Sequence, residues 1–220
     1  MTSTETGNSA KTNRVVHVKQ KKRWSLKISG AAIFSALSLG LYFAAEDIPR
    51  FQWGLAWFDP VSIVWVLTFF IFGYEAGIIS SVLGMILLMP FDPFTPIGPI
   101  MKFTATIPLI VLPWLISKVR NFETTSEQHL KLRRVILNWI ISVSVRLIVM
   151  VIFNCVVISI MFGEAFVVEI NLEFIGISGI TGWTAIIITV LAVNLVQSIW
   201  DYLIPYVLYR VIKTQITIPW

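Results

Sequence analysis

Long apolar runs are the feature of this sequence that most limits how the chain can fold. A helix needs about 20 apolar residues to cross the hydrocarbon core of a bilayer, and four of the runs reach that length. Only 13% of the residues are charged, about half the share that a water-soluble domain carries. The sequence therefore predicts an all-α membrane protein, a compact bundle of six transmembrane helices. The predicted spans are 25–45, 58–73, 75–91, 97–117, 134–162 and 183–212.

The second and third runs are short, and only the segment 73–77 separates them. Glycine adopts backbone conformations that other residues avoid, so the two glycines of this segment favour a sharp turn. We therefore predict a tight helical hairpin whose turn uses Gly73 and Gly77. One long helix over 58–91 is the alternative, and the two glycines argue against it.

The distribution of charge predicts an orientation in the membrane. Lysines and arginines cluster at 14–27, 118–134 and 210–213, whereas the opposite helix ends collect carboxylates, among them Asp59 and Asp92. Because cytoplasmic loops carry the excess of basic residues, both termini are predicted to lie in the cytoplasm. The net charge of +5 is then a signal of topology and not of nucleic-acid binding.

Composition divides the chain into three parts. We predict a largely disordered basic tail over 1–23, a six-helix membrane domain over 24–213 and a C-terminal tail over 214–220. A cleaved signal peptide over 24–45 is the alternative for the first run, because a basic region precedes it. The run is long for such a peptide, and its small residues recur at a regular spacing.

That spacing forms a small-residue stripe on the first helix, made of Ala32, Ala36 and Gly40. Small residues four positions apart let a second helix approach closely, which drives helix association in lipid. The stripe is therefore predicted to be a docking face for a partner. Packing within the chain itself is the alternative.

Two charged residues fall deep within the predicted spans. Arg146 lies roughly 18 Å from the cytoplasmic end of the fifth helix, and Asp201 lies at about the same depth on the sixth. Isolated charges are costly inside a bilayer, so we predict that Arg146 and Asp201 form a structural ion pair.

Other polar residues are predicted to form a ligand site nearer the outer surface. Lys102, Asn154, Asn194 and Gln197 fall in the outer half of the membrane or near its midplane, above the ion pair. Lys102 has no acidic partner at its depth apart from a loop carboxylate. Apolar walls with a few convergent polar groups are typical of ligand pockets. Hydrogen bonding between helices is the alternative explanation of the amides.

Aromatic residues are predicted to cover this site from the outside. The loop before the second run contains Trp53 and Trp57, whose rings could lie over a flat apolar ligand. Anchoring of the chain at the membrane interface is the alternative for these tryptophans.

The sequence carries no arrangement of residues that indicates catalysis. His17 and His129 lie in polar segments far from any acid or nucleophile, and no phosphate-binding loop or His–Glu metal motif occurs. The single Cys155 allows neither a disulfide framework nor a cysteine-based metal site. We therefore predict a protein that is not an enzyme and that holds no cofactor or metal.

Several short motifs occur in a recognisable order: AIFSAL from position 32, FGYEAG from 72, and TPIG from 95 leading into Lys102. In this order, over 25–213, the chain resembles the substrate-specific S-component of the energy-coupling factor transporters. The riboflavin-specific members are the most similar. They carry an asparagine late in helix five, matched by Asn154, and Asn-x-x-Lys in helix six, where this chain has Asn194 and Gln197.

The resemblance implies a subunit of the prokaryotic cell membrane that binds a vitamin, here riboflavin or a related flavin. It further implies docking of the small-residue stripe on a membrane coupling protein, with two ATPase subunits that supply the energy. Two positions depart from the riboflavin pattern, since Lys102 replaces an asparagine and Gln197 replaces a lysine. An anionic vitamin such as pantothenate or lipoate therefore stays an alternative, as does a channel or scaffold subunit without a small-molecule substrate.

Overall fold

The computed structural model describes residues 5–45, 48, 56–120 and 131–215, with side chains from position 24 onward except at 174. These residues are all-helical apart from loops and an isolated bridge between Asn171 and Thr181. The helices are α1 (Glu5–Ala44), α2 (Pro60–Phe72), α3 (Tyr74–Leu88), α4 (Ile97–Val119), α5 (Leu132–Met161), α6 (Gly163–Glu169) and α7 (Gly182–Gln215), and Glu173–Ile175 forms a 3₁₀ turn.

Four helices are long and apolar enough to cross a membrane: the part of α1 over Trp24–Ala44, α4, α5 and α7. The helices α2 and α3 are apolar but have only 13 and 15 residues, so each rises about 20 Å. The prediction of an all-α chain with helices that can span a membrane is therefore confirmed. The predicted runs coincide with helices to within three residues, except at the start of α1.

The helix α1 begins at Glu5, inside the tail that the sequence predicts to be disordered. Helix propagation is cooperative, and the segment 5–23 contains no proline that would interrupt it. The helical backbone therefore continues from the apolar run into the polar tail. At the other terminus, α7 extends to Gln215, the second residue of the predicted C-terminal tail.

The helices α2 and α3 form an antiparallel hairpin that a single residue connects. Gly73 has a φ of 88°, a backbone conformation that favours glycine. Gly77 already lies in the first turn of α3, where an added Cβ would be 2.7 Å from the Cβ of Phe69. Further along the hairpin, Gly84 lies against the indole ring of Trp65. The hairpin agrees with the prediction, but Gly77 serves close helix packing and not the turn.

The helix α2 lies at the centre of the bundle, where it packs against α1, α3, α4 and α7. Residues 61–69 are all buried, which fits their nearly continuous apolar sequence. The side chain of Asp59 caps this helix, because its Oδ1 accepts a hydrogen bond from Val61 N at 3.0 Å. Pro60 takes the first helical position, where a missing N–H costs nothing.

The helix α1 presents two different faces along its apolar part. Ala31 and Ser38 are buried, and Ser38 Oγ accepts a hydrogen bond from Trp65 Nε1 at 3.1 Å. The small-residue stripe occupies the other face and is exposed at all three positions. A Cβ added at Gly40 would meet no described atom within 4 Å. In the described part of the chain, the stripe is thus an outer surface of the bundle.

A buried apolar cluster connects the segment after α6 with α4, α5 and α7. Ile170 and Leu172 pack into this cluster with Ile186 of α7. The same cluster contains Ala105 of α4 and Met150 of α5, which also line the cavity described next. The packing therefore holds α4, α5 and α7 in place around that cavity.

Candidate functional site: a polar cavity within the bundle

A cavity of about 80 Å³ lies among α2, α4, α5 and α7 and is partly open to the exterior. Met101 and Met150 contribute apolar surface to its wall. Its volume accommodates several water molecules or a small polar group. Apolar walls with a few convergent polar groups are typical of sites that bind small molecules. The polar lining residues are Asp59, Ser62, Asp92, Lys102, Arg146, Asn194 and Gln197.

Arg146 of α5 is the centre of a hydrogen-bond network with α7. Its Nη1 donates to Asp201 Oδ2 at 2.6 Å, and Nη2 donates to Gln197 Oε1 at 3.0 Å. Its Nε lies 3.3 Å from Asn194 Oδ1 and donates to it. Asp201 and Arg146 are each 1% exposed, so the expected pair is present and fully buried.

Helical periodicity explains why one guanidinium reaches three residues of α7. Positions 194, 197 and 201 are separated by three and four residues, so their side chains share one helix face. The planar guanidinium presents several N–H donors in a fixed fork, and here it distributes them over two amide oxygens and one carboxylate. Gln197 Nε2 in turn donates to Ala56 O, which links α7 to the segment before α2.

This network corrects the predicted separation of a structural ion pair from a ligand site above it. Asn194 and Gln197, two of the predicted ligand residues, bond directly to Arg146. Depth along a helix can be computed from the sequence, but long side chains bridge more than one helical turn. Arg146 therefore belongs to the cavity lining as well as to the ion pair.

Lys102 of α4 forms an ion pair with Asp59, the residue that caps α2. The Nζ of Lys102 also lies 5.7 Å from the centre of the Tyr42 ring on α1, within the range of a cation–π contact. The side chains of Lys102 and Asp59 are 14% and 12% exposed. Asp59 is thus the loop carboxylate that the sequence allowed as a partner, and it neutralises the charge of Lys102.

Two of the remaining predicted ligand residues, Asn154 and Trp57, are described by the structure and do not line the cavity. Asn154 is 1% exposed, and its Nδ2 donates to Met150 O within α5 at 2.8 Å. Trp57 is 44% exposed and is absent from the lining that the structure describes. Trp53 lies outside the described residues. The structure therefore brings Lys102, Asn194 and Gln197 together and leaves Asn154 and Trp57 apart from them.

Two acidic lining residues were not among the ligand residues predicted from the sequence. Asp59 and Asp92 contributed only to the predicted orientation, yet both form part of the cavity wall. Each of them is followed directly by a proline and lies shortly before a helix. In both, Oδ1 accepts a hydrogen bond from the backbone N–H two residues further on. Asp-Pro pairs favour such turns, and that pattern could have identified both residues.

The lining groups can donate and accept hydrogen bonds and can hold a polar ligand. Within the described residues, no group of three or more His, Cys, Asp or Glu side chains could hold a metal ion. No protein-family model, curated protein or solved structure matches this chain.

Proposed function

We propose that this chain is the substrate-binding membrane subunit of an ATP-driven vitamin importer of the energy-coupling factor type, located in a prokaryotic cell membrane. The observation that carries the proposal is the polar cavity inside an apolar bundle. Ionisable residues inside a membrane are costly, and they usually mark a path or a binding site for a substrate. Arg146 and Lys102 are two such residues, and both line the cavity.

The charge pairing favours riboflavin or a related flavin as the ligand. Each cation of the lining already has a carboxylate partner, Asp201 for Arg146 and Asp59 for Lys102. An anionic vitamin such as pantothenate or lipoate would have to displace one of these carboxylates. A neutral ligand with several donors and acceptors can instead bond to the paired groups without separating them.

Binding of a whole vitamin requires the cavity to widen. Sites for drug-sized ligands measure roughly 300–1,000 Å³, more than the cavity of about 80 Å³. In this proposal Trp53 and Trp57 cover the bound ligand, as expected from the sequence.

Assembly with partner proteins is part of the same proposal. The exposed small-residue stripe would dock on a membrane coupling protein, and two ATPase subunits would hydrolyse ATP. All six apolar helices, including the short α2 and α3, would cross the membrane, and both termini would lie in the cytoplasm. The short helix α2 fits this arrangement because α1, α3, α4 and α7 pack around it, so it needs no full lipid-facing span.

Ligand titration of the purified protein tests the proposed function. We expect riboflavin to bind at micromolar concentrations or below, with quenching of flavin fluorescence, and pantothenate and lipoate to bind more weakly. Lys102→Gln should change riboflavin binding little, since the lysine charge is already neutralised by Asp59. A large loss in this variant would point to an anionic ligand. Failure of all three to bind the wild type would refute the vitamin assignment and favour a scaffold or channel subunit.

Cysteine labelling in intact cells tests the topology. Cys155 is first replaced by alanine, and single cysteines are then introduced at Glu164 or Lys213. We expect a membrane-impermeant reagent to label Glu164→Cys from outside the cell and Lys213→Cys only after permeabilisation. Labelling of Lys213→Cys in intact cells would contradict cytoplasmic termini.

A further inference from the structure

Asp92 is a buried carboxylate on the cavity wall, in the loop between α3 and α4. The residue is 4% exposed, and its Oδ1 accepts a hydrogen bond from Phe94 N at 2.9 Å. Its Oδ2 has no hydrogen-bond or ion-pair partner within the described part of the chain. Among the described residues, the fully buried side-chain oxygens without a partner are Ser142 Oγ and Asp201 Oδ1. Asp92 Oδ2 is not one of them, so it keeps accessible surface at which a donor from outside the chain could bind.

The surrounding backbone holds the Asp92 carboxylate in a defined position. Gly98 lies in the first turn of α4, and a Cβ there would be 2.7 Å from Asp92 Cγ and 2.9 Å from Oδ2. Any larger residue would displace the carboxylate. The backbone N–H of Asp92 also donates to Leu88 O at 3.0 Å, which ties the loop to the end of α3. A group held in place before binding loses little conformational freedom when a ligand arrives.

The charges of the described residues around the cavity do not balance. Lys102 pairs with Asp59, and Arg146 pairs with Asp201. Asp92 is the carboxylate that remains, so two cations and three carboxylates give these five groups a formal net charge of −1. Electrostatic interactions are stronger in the protein interior than in water. The surplus negative charge therefore repels an anion and attracts a hydrogen-bond donor.

We propose that Asp92 is a ligand-recognition residue of this cavity and that it selects an uncharged, donor-bearing ligand over one that binds through a carboxylate. The inference rests on the proposed function and deepens it by naming the chemical class of the ligand. An imide or amide N–H, or a hydroxyl group, would donate to Asp92 Oδ2. A flavin carries both kinds of donor.

The Asp92→Asn variant separates recognition from folding. Asparagine keeps an acceptor oxygen for Phe94 N–H, so the turn is retained, but the charge and the second carboxylate oxygen are lost. Glu164→Gln is the matched control, because it removes the same charge from an exposed residue that is not part of the lining. Binding of riboflavin to wild type and both variants is measured by fluorescence, together with the Tm of each protein.

We expect Asp92→Asn to weaken riboflavin binding about ten- to a hundredfold, the usual effect of losing one charge-assisted hydrogen bond. The Tm should stay close to that of the wild type, and Glu164→Gln should bind riboflavin normally. Unchanged riboflavin binding in Asp92→Asn would overturn the inference and leave the proposed function standing. An equal loss in Glu164→Gln would also overturn it, because the effect would then be one of overall charge.

The selectivity of the wild type tests the same inference without a variant. Pantothenate and lipoate, which both carry a carboxylate, should bind at least about tenfold more weakly than riboflavin. A preference for either carboxylate would overturn the role of Asp92 while supporting a vitamin importer. If none of the three binds, the proposed function itself is wrong, and the inference falls with it.

Discussion

Arg146 and Asp201 join α5 to α7 through a buried ion pair, with Arg146 Nη1 2.6 Å from Asp201 Oδ2. Their side chains are 1% and 2% exposed, so both charges are almost fully removed from bulk water. The same guanidinium contacts Asn194 and Gln197 at the cavity. The pair therefore combines a structural role with the placement of the polar lining.

Loss of one partner of this pair should destabilise the protein strongly. Arg146→Met or Asp201→Leu would leave an unpaired buried charge, at a cost of about 3–5 kcal/mol. The double variant should recover much of that loss, because no charge then remains unpaired. Thermal unfolding in detergent measures all three variants. A double variant as unstable as the sum of the two single losses would contradict a coupled pair.

The pair between Lys27 and Glu75 provides the matched control. Its N–O distance is 3.1 Å, but the two side chains are 24% and 43% exposed. Exposed ion pairs contribute only about 0–1 kcal/mol. Lys27→Ala and Glu75→Ala should therefore change the Tm little in the same assay.

Removal of the charge of Asp59 should allow anionic vitamins to bind in the cavity more tightly. Asp59→Asn keeps an oxygen that can accept from Val61 N–H, so the cap of α2 is preserved, but Lys102 loses its counter-charge. We expect pantothenate or lipoate affinity to rise about ten- to a hundredfold, with isothermal titration calorimetry as the measurement. Adding Lys102→Gln to this variant should abolish the gain. A gain that persists in the double variant would show that Lys102 does not bind the anion.

Bulky residues on the two faces of α1 should have opposite effects. Ala32→Trp and Ala36→Trp alter the exposed small-residue stripe, so folding and ligand binding should be retained. Close docking of a partner helix, and with it transport, should be lost. Ala31→Trp is the control on the buried face and should lower the Tm. Unfolding of the Ala32→Trp protein would assign the stripe to the protein's own packing.

A methyl group added at Gly77 should lower the stability of the protein, whereas one added at Gly40 should not. Gly77→Ala places a Cβ 2.7 Å from the Phe69 Cβ and 3.1 Å from its Cα, an overpacking that costs about 1–3 kcal/mol. Gly40→Ala meets no described atom within 4 Å, so it should be neutral or stabilise the helix by up to about 1 kcal/mol. Thermal unfolding compares the two variants. An equal effect at both positions would contradict the tight contact of α2 with α3.

The type of the six apolar helices and most of their ends could be predicted from the sequence, because both depend on local properties. The polar start of α1 and the short helix α6 were not predicted. Apolar runs fix which segments avoid water, and Gly73 marks the hairpin turn by its own backbone freedom. The regular rise of a helix likewise converts sequence position into depth. That relation is sufficient to match Arg146 with Asp201 across 55 positions.

The rotation of each helix and the identity of its neighbours were decided only by tertiary packing. Asn154 is eight residues from Arg146, which rotates it about 80° around α5, and its amide bonds within the helix instead of lining the cavity. The pairing of Lys102 with Asp59 and the exposure of Asp92 to the cavity need α2, α4 and a loop to meet. Apolar runs specify that a helix is buried in lipid or protein, but not which of its sides faces which neighbour. That choice depends on the shapes of all the helices together.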